Sequence, residues 1–450
     1  MPTPHSWLFA SWFVALLVLC YQADSFAEEP LSAQAITVEG NFLKAPQKPS
    51  TTTDYTIAKT KPTVRFVQIP LPNTPADPWS IWGYGLLHSS GKFYVPLGDH
   101  LGIDANSYLY QYDPSTHSIR QVADLQSAVA SFKSGNFGFG KIHGRLNEGA
   151  DGNIYMATYW GQWRNESDRY EGDRVFRFNP QTGEMTDLGM PKYGWGYPST
   201  HYSAKHNLLY AEAHQRKGNS KGDPKNDYVA ADYKSYKDPY HVEFLVYDTA
   251  TRKVVFHGEH QGLSYGRDFF VDADGNAYWN NGDGSLQKYD PETNQVTKSQ
   301  AKMPGSKIRR TVGPDENGML YGVTNDTHEI FQFDPKRDKV RTICKAWADS
   351  PAMDVTRDGK FLYTIPGGHG PSSGTPLIQV NVQDGSQKVI AFLHDAVWKQ
   401  TNFNLGGTYC LQLSEDGSKA MIGFNGKVDS LKKAWGELAV VEIEIPASER

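Results

Sequence analysis

Short runs of alternating apolar and polar residues recur along the chain, separated by turns rich in Gly, Asp and Asn. The commonest unit is a turn followed by a short apolar strand that ends in Tyr, as in Gly152-Asn153-Ile154-Tyr155. Period-two alternation bounded by such turns is typical of β-hairpins. The unit occurs seven times, at 91–94, 152–155, 207–210, 275–278, 318–321, 359–363 and, in degenerate form, 417–421.

A second repeated element follows each of these units and ends in an aromatic residue before Asp-Pro or a relative of it. Asp-Pro and Asn-Pro after a strand start a turn, so each copy marks the hairpin into an outer strand. Seven four-stranded units of this kind predict an all-β fold, a seven-bladed β-propeller. The clearest copies are 112–114, 178–180, 289–291 and 333–335.

The two ends of the repeat array predict how the propeller closes. The last blade ends after its third strand at 438–445, whereas an unassigned strand at 64–69 precedes the first blade. We therefore expect the N-terminal strand to complete the last blade, because closure removes the open sheet edges. The expected organisation is a signal peptide at 1–27, a flexible tether at 28–62 and the propeller at 63–450.

Composition adds an export signal and excludes some partners. Residues 7–20 are almost wholly apolar and are followed by Ser25-Phe26-Ala27, a small-residue pattern for signal peptidase. The formal charge of −5 argues against a broad nucleic-acid-binding surface. We therefore expect a monomeric secreted or periplasmic protein with no membrane span in the mature chain. Cys344 and Cys410 lie in different repeats, and the sequence is compatible either with a disulfide between them or with two free thiols.

Loop lengths indicate which face of the propeller carries function. The interval from the Tyr of the second strand to the aromatic of the third is 11 or 12 residues in blades four and five. It grows to 18, 23 and 37 residues in blades one, two and three. All these insertions fall in one connection, so they decorate the face that also receives the entries into the innermost strands.

Residues expected on that face are bases near neutrality, fixed cations and flat aromatics. Sugar rings stack on aromatic faces, and Arg forks bind carboxylates or sulfates. Cleavage by β-elimination requires neutralising the uronate carboxylate, removing the C5 proton and protonating or stabilising the departing O4, tasks that suit Arg, His and Tyr. The pattern thus favours an anionic polysaccharide or oligosaccharide as partner. The candidates for binding it are Arg145, Arg216, Arg267, Tyr159, Trp160, Trp163 and His214.

The seven repeats resemble the broad propeller group that includes streptogramin lyases. A His in an innermost strand of blade two, then a Tyr in the next blade and an Arg in its inserted loop, also resembles the layout of the ulvan lyases. Those are exported seven-bladed polysaccharide lyases with a His, Tyr and Arg site. The ulvan lyases have a second His in the blade-two loop, where this chain has Tyr159, Trp160 and Trp163.

The resemblance implies a role for each matching residue. It makes His143 the blade-two catalytic His, His201 or Tyr202 the acid or base of blade three, and Tyr265 the catalytic Tyr of blade four. Arg216 would neutralise the carboxylate. No metal is required by such a mechanism.

The same residues leave structural roles open. His143 could be a hydrogen-bonded channel residue, and Arg145 and Arg267 could only neutralise carboxylates such as Glu148 and Asp268. Trp160 and Trp163 could pack a long loop, and His214 and Arg216 could belong to a solvated basic loop.

Two other classes of function remain open from the sequence. One is a metal-dependent lactonase or streptogramin-lyase-like enzyme, in which Ca²⁺ or Mg²⁺ binds channel oxygens. The other is a non-enzymatic propeller that binds a glycan or a protein. The oxygen ligands suggested for the first are Asn147, Glu148, Asp268, Asp354 and Asn404.

Overall fold

Seven β-sheets dominate the fold, as the repeats predict. The structure, a computed structural model, describes residues 30–46, 51, 53–161, 170–216, 240–258, 267–370 and 373–450. Residues Leu31–Arg450 form one compact unit. Each sheet holds four or five strands, most of them neighbours in chain order, and the seven sheets are the blades of a β-propeller. The predicted fold class is confirmed.

The strands follow the chain blade by blade. Before blade one come β1 (Ser32–Gln34), β2 (Ile36–Val38), β3 (Thr56–Ile57) and β4 (Thr63–Gln68). Blade one has β5 (Leu86–Leu87), β6 (Phe93–Gly98), β7 (Ser107–Asp113) and β8 (Ser118–Asp124). Blade two has β9 (Asn147–Glu148), β10 (Ile154–Ala157), β11 (Val175–Phe178) and β12 (Met185–Gly189). Blade three has β13 (Gly196–Ser203), β14 (Leu208–Arg216), β15 (Tyr240–Asp248) and β16 (Lys253–Gly258).

The remaining blades are built in the same way. Blade four has β17 (Phe270–Val271), β18 (Ala277–Asn280), β19 (Ser285–Asp290) and β20 (Gln295–Lys302). Blade five has β21 (Ile308–Val312), β22 (Leu320–Thr324), β23 (Glu329–Asp334) and β24 (Lys339–Lys345). Blade six has β25 (Ala352–Val355), β26 (Phe361–Ile365), β27 (Pro376–Asn381) and β28 (Gln387–Phe392). Blade seven has β29 (Phe403–Leu413), β30 (Lys419–Val428) and β31 (Glu437–Glu444).

Helix is confined to short connections in the described residues. The α-helix α1 (His394–Thr401) links blades six and seven, and 3₁₀ turns occur at Gln126–Ala128 and Ala447–Glu449. No helix among the described residues is both long and apolar enough to cross a membrane.

A side-chain hydrogen-bond device explains why the turn-and-Tyr unit repeats. In blade five, Asp315 Oδ1 accepts backbone N–H groups of Asn317 and Met319 at 2.8 and 2.9 Å, and the Tyr321 hydroxyl donates to Asp315 Oδ2 at 2.7 Å. The carboxylate thus holds the turn and ties it to the following strand. The same Tyr-to-Asp bond joins Tyr155 to Asp151 and Tyr278 to Asp272.

The N-terminal strand closes the propeller. Strand β4 pairs antiparallel with β31 from Gln68 opposite Ala439 to Thr63 opposite Glu444. It therefore supplies the fourth strand of blade seven, which confirms the closure expected from the sequence.

The segment expected to be a flexible tether is instead packed on the propeller wherever the structure describes it. Strand β1 pairs with β8 of blade one, β2 with β4 of blade seven, and β3 runs parallel to β28 of blade six. Val38 and Phe42 are fully buried in the core that blades six and seven share with α1. The boundary at residue 63 was wrong because strands of two or three residues are too short to show a period. The expected signal peptide lies outside the described residues.

Candidate active site

The entries into the innermost strands and the inserted loops meet at one end of the channel. Lys141, entering blade two, forms a β-bridge with Tyr159 of the blade-two loop. Trp82, entering blade one, stacks against His100 of the blade-one loop at 5.7 Å. We call this end the channel mouth and define it by Trp82, His100, Lys141, His143, Tyr159, Arg267, His369, Tyr409 and Trp435.

His143 lies in the mouth with one ring nitrogen fixed and the other facing a cation. Its Nδ1 donates to the Pro198 carbonyl at 2.6 Å, because a carbonyl can only accept. Nε2 therefore carries the lone pair, and Arg267 Nη1 lies 3.5 Å from it. Burial, then the charges of Arg267 and Lys141, lower the pKa of His143 well below its ordinary value. The ring is thus a neutral base at neutral pH.

Lys141 stands two residues before His143 in the same extended entry. Its ammonium lies 5.6 Å from the Trp82 ring and 4.9 Å from the Tyr159 ring, and its Nζ is 3.2 Å from His100 Nε2. Burial and the charge of Arg267 lower the pKa of Lys141 to about 7. The amine therefore exchanges its proton near neutrality, as acid–base groups in enzymes do.

Arg267 is the cation that couples these groups. Its side chain is half buried. Its charge lowers the pKa values of His143 and Lys141. Burial, and then the charge of Arg267, also lowers the pKa of His369. A guanidinium in this position matches a carboxylate in geometry and charge.

A flat aromatic surface lines the other side of the mouth. The Trp82 and Trp435 rings stack at 4.7 Å with an interplanar angle of 17°. Tyr409 packs on Trp82 at 5.5 Å, and its hydroxyl lies 2.9 Å from Nε2 of the exposed His369. Trp82 and Trp435 are both partly exposed, which suits stacking of a sugar ring.

Two sequence candidates, Arg145 and His201, lie below the mouth in an ion-pair network. Arg145 Nη2 donates to Asp268 Oδ2, and His201 Nε2 donates to Asp268 Oδ1 at 3.1 Å. Burial alone would raise the pKa of Asp268, but Arg145 and His201 hold it well below its ordinary value. Burial and Arg145 lower the pKa of His201 to about 4. The structural role for Arg145 is therefore the one that the contacts support, and His201 shares it.

Tyr202 lies at the opposite end of its strand from the mouth. Its ring stacks on Tyr155 at 4.2 Å, and its hydroxyl is 3.2 Å from Thr249 Oγ1 near the hairpin turns. Tyr202 lies four residues along β13 from Pro198, whose carbonyl binds His143, so the structure does not bring Tyr202 together with His143.

Trp160 and His214 are buried beside the mouth rather than exposed on it. Trp160 packs edge-on against Tyr170 at 5.7 Å, and His214 Nε2 donates to Glu212 Oε1 at 2.8 Å. Both side chains support the loop wall, and neither is exposed in the channel mouth. Tyr159 is equally buried, but its ring contacts both Lys141 and His143, with a ring separation of 5.6 Å from the latter.

Three candidates lie beyond what the structure describes. Tyr265 and Trp163 are outside the described residues, and Arg216 ends β14 with its side chain outside the description. Their expected roles stay predictions.

Lys141 and Trp435 were missed by the sequence reading although each carries a signal. Lys141, His143 and Arg145 alternate with period two, which places them along one side of the entry into blade two. Trp435 lies between β30 and β31, the same connection that carries the insertions of blades one to three.

Two of the oxygen ligands suggested for a metal, Asp268 and Asp354, are engaged elsewhere. Asp268 binds Arg145 and His201, while Asp354 accepts N–H groups of Val355 and Leu413 at 2.9 and 2.8 Å. Within the described ranges, no group of three or more His, Cys, Asp or Glu side chains is arranged to hold a metal ion.

Comparisons with known proteins support the fold. No protein-family model matches the chain, and no curated protein matches it by sequence. The structure is similar to an oligogalacturonate lyase in complex with manganese, with a TM-score of 0.52 and 14% identity over 90% of this chain and 99% of that one. It is also similar to a streptogramin B lyase, with a TM-score of 0.51 and 9% identity over 85% and 98% of the two chains. At these identities the likeness shows the propeller fold alone.

Proposed function

We propose that the chain is an exported polysaccharide lyase that cleaves a uronate-containing polysaccharide, sulfated or not, by β-elimination at the channel mouth. The observation that carries the proposal is the pair formed by His143 Nε2 and Arg267 Nη1, 3.5 Å apart. A neutral base beside a guanidinium is what removal of a proton next to a carboxylate requires.

Arg267 would bind the uronate carboxylate, which makes the C5 proton more acidic by stabilising the charge that develops on its loss. The same contact changes His143. Because Arg267 lowers the pKa of His143 in the free protein, a carboxylate that neutralises Arg267 raises it. His143 Nε2 thus becomes a better base when substrate is bound, and it takes the C5 proton as the C4–O4 bond breaks and the C4–C5 double bond forms.

Lys141 is assigned the proton donor for the departing O4. It shares Trp82 and Tyr159 as ring neighbours with His143, so both groups face one small volume. The ammonium form, present up to a pH near its pKa of about 7, supplies the proton that O4 needs to leave as a hydroxyl.

The stacked pair Trp82 and Trp435 is assigned to hold a neighbouring sugar. It lies next to the acid–base groups, because the Trp82 ring is 6.1 Å from His143 and nearly parallel to it, at 12°. A sugar stacked there extends the bound chain away from Arg267. The name of the similar oligogalacturonate lyase, a lyase of a uronate oligosaccharide, supports this substrate class.

The test is incubation with a panel of uronate polysaccharides while the ultraviolet absorbance of the new double bond is followed. We expect wild type to act on at least one substrate and His143→Ala to lose about 10²- to 10⁴-fold in kcat. Tyr202→Phe, at the far end of the blade, is the matched control and keeps activity. Equal rates for wild type and His143→Ala on every substrate would sink the proposal. Loss of activity on chelation would favour the metal-dependent class instead.

A further inference from the structure

A histidine flanked by glycines stands at the rim of the channel mouth, apart from the groups assigned to catalysis. His369 lies in the connection between β26 and β27, within the run Gly367-Gly368-His369-Gly370. Its side chain is exposed. The centroid of its ring lies 5.7 Å from that of Trp82 and 5.9 Å from that of Trp435. His369 therefore borders the aromatic surface that is assigned to a stacked sugar.

The glycines let the backbone before His369 pack tightly on the channel wall. A Cβ atom on Gly368 would stand 2.9 Å from Arg309 Nη2 and 3.2 Å from the Tyr409 hydroxyl. Gly407, in β29, has no room for a side chain either, since its Cβ would lie 2.5 Å from the Gly368 carbonyl oxygen. The close packing holds the histidine in place at the rim.

A chain of polar contacts sets which ring nitrogen of His369 carries the proton. Asp349 holds the Arg309 guanidinium, whose Nε and Nη2 donate to the two carboxylate oxygens at 2.5 and 3.0 Å. That guanidinium lies beside Tyr409, with its Cζ 5.1 Å from the ring centroid, and it can only donate to the hydroxyl. In the described part of the chain, the one acceptor within hydrogen-bond distance of this hydroxyl is His369 Nε2, at 2.9 Å. The phenol proton therefore goes to Nε2, and the proton of the neutral imidazole is on Nδ1.

The charges around His369 favour an anionic partner for this Nδ1–H group. After burial, the charges of Arg267 and Arg309 lower the pKa of His369, whereas Asp349 raises it. Asp349 is already paired with Arg309, so the net potential at the imidazole is positive. Nδ1 itself has no hydrogen-bond partner among the described residues. A donor in a positive field beside a stacking surface suits a carboxylate or sulfate oxygen.

We propose that His369 Nδ1–H binds an anionic group, a uronate carboxylate or a sulfate ester, on the sugar that stacks on Trp82 and Trp435. We call this place the anionic subsite. It rests on the proposed lyase function and adds that the sugar next to the cleaved uronate is itself charged. His369 is thus a specificity-determining residue, which selects chains charged on both sugars over chains that alternate a uronate with a neutral sugar.

Nuclear magnetic resonance of the wild-type protein reads the anionic subsite with three sugars that differ only in the substituent at C6. The probes are galacturonate, galactose 6-sulfate and galactose, titrated at constant ionic strength while the pKa of the His369 imidazole is followed. Because a bound anion stabilises the imidazolium, one or both charged sugars should raise this pKa by about one pH unit, and galactose should leave it unchanged. The charged sugar that acts distinguishes a carboxylate subsite from a sulfate subsite.

The same measurement in Arg267→Gln separates the two cationic positions of the mouth. An anion bound at Arg267 would also raise the pKa of His369, since the charge of Arg267 lowers it in the free protein. The rise should therefore persist in Arg267→Gln. His257, in the outer strand β16 and 54% exposed, is the internal control and should not respond. If neither charged sugar raises the pKa of His369 in this variant, the proposal is overturned.

Kinetics separate the anionic subsite from the lyase activity. On polygalacturonate, in which every sugar is a uronate, His369→Leu should raise KM about tenfold with kcat nearly unchanged. Tyr409→Phe keeps the ring but leaves Nε2 without its donor, and it should raise KM about threefold. Cleavage confined to chains that alternate a uronate with a neutral sugar would overturn the anionic subsite and leave the lyase function standing. If wild type cleaves no uronate polysaccharide, the lyase function fails, while a pKa of His369 that responds to a charged sugar still supports the subsite.

Discussion

The groups at the channel mouth act through the charge of a single residue, Arg267. It lies within contact distance of His143 Nε2 and lowers the pKa of both His143 and Lys141. Replacing it with Gln removes the partner of the uronate carboxylate, so we expect kcat/KM to fall by about 10²- to 10³-fold. Arg267→Lys should recover only part of this loss, since an ammonium lacks the planar fork. Steady-state kinetics on the preferred polysaccharide would check this, and an unchanged kcat/KM in Arg267→Gln would remove Arg267 from the mechanism.

Lys141 predicts the pH dependence of the reaction. As the proton donor it must be protonated, so kcat/KM should fall as pH rises through its pKa of about 7 in the free protein. A bound carboxylate neutralises Arg267 and raises the pKa of Lys141, so the alkaline limb of kcat should lie at higher pH than that of kcat/KM. Lys141→Met should abolish both limbs together with most of the activity. Activity that rises through pH 7 would instead make Lys141 a base.

The sequence predicts which residues lie on the decorated face better than it predicts how deep in the channel each of them lies. His143, Arg267 and Tyr159 were expected on the decorated face and lie at the mouth. Arg145 and His201 were expected there too but lie one level lower, because each step of two residues along an entry strand moves a side chain down the channel. Which level faces substrate depends on packing between blades, which spacing along one blade does not contain.

At the level of elements, the loop between β30 and β31 extends the aromatic surface through Trp435. Trp435→Ala should remove one stacking partner of a sugar while leaving His143 and Arg267 in place. We expect KM to rise roughly fivefold, about 1 kcal/mol, with kcat nearly unchanged. Leu431→Ala in the same loop is the control, because Leu431 is exposed and outside the mouth. A fall in kcat without a change in KM would place Trp435 among positioning residues.

The N-terminal segment before β4 predicts a stability effect that a tether would not have. Phe42 is fully buried with Val38, Ala396 and Val397, and its carbonyl accepts the Phe392 N–H at 2.8 Å. Phe42→Ala should therefore lower the free energy of unfolding by about 3 kcal/mol, by lost transfer energy and the cavity left behind. Leu31→Ala, in an exposed position, should change it by less than about 0.5 kcal/mol. Denaturant unfolding measures both, and equal small effects would show that the segment is detached in solution.

Repeated elements were predictable because the same physical device recurs in the sequence. The Asp-to-Tyr bond at Asp151, Asp272 and Asp315 requires an Asp four or six residues before a Tyr, with a Gly in the turn between them, and that pattern is visible without a structure. Strands β1, β2 and β3 carry no such device. Each is recruited by the free edge of an outer strand, so its conformation is set by a partner distant in sequence.

Several ionisable side chains are buried in the folded protein, and their shifted pKa values predict how the stability of the whole molecule depends on pH. The pKa values of His100 and His201 are lowered by burial, to about 3 and about 4, from 6.5. Between pH 6.5 and about 4 these histidines are therefore protonated in the unfolded state but neutral in the folded state. Their contribution makes the free energy of unfolding fall as pH falls. Asp99 and Asp173 act in the opposite sense, since burial raises their pKa values from 3.8 to about 7 and the folded state binds protons first.

Single variants separate these opposed contributions. The His201→Gln variant lacks the imidazole that is protonated only in the unfolded state. Its free energy of unfolding should therefore fall less steeply than that of wild type between pH 6 and 5, and the two slopes should differ by about 1.4 kcal/mol per pH unit. Asp173→Asn should change the slope in the opposite direction, because it removes a group that takes up a proton on folding in this window. His257→Gln, at a side chain that is 54% exposed, is the control. Denaturant unfolding followed by tryptophan fluorescence at several pH values gives each slope. Parallel curves for wild type and His201→Gln would mean that His201 takes up its proton in the folded channel, where Asp268 would then hold a doubly donating imidazolium rather than a neutral ring.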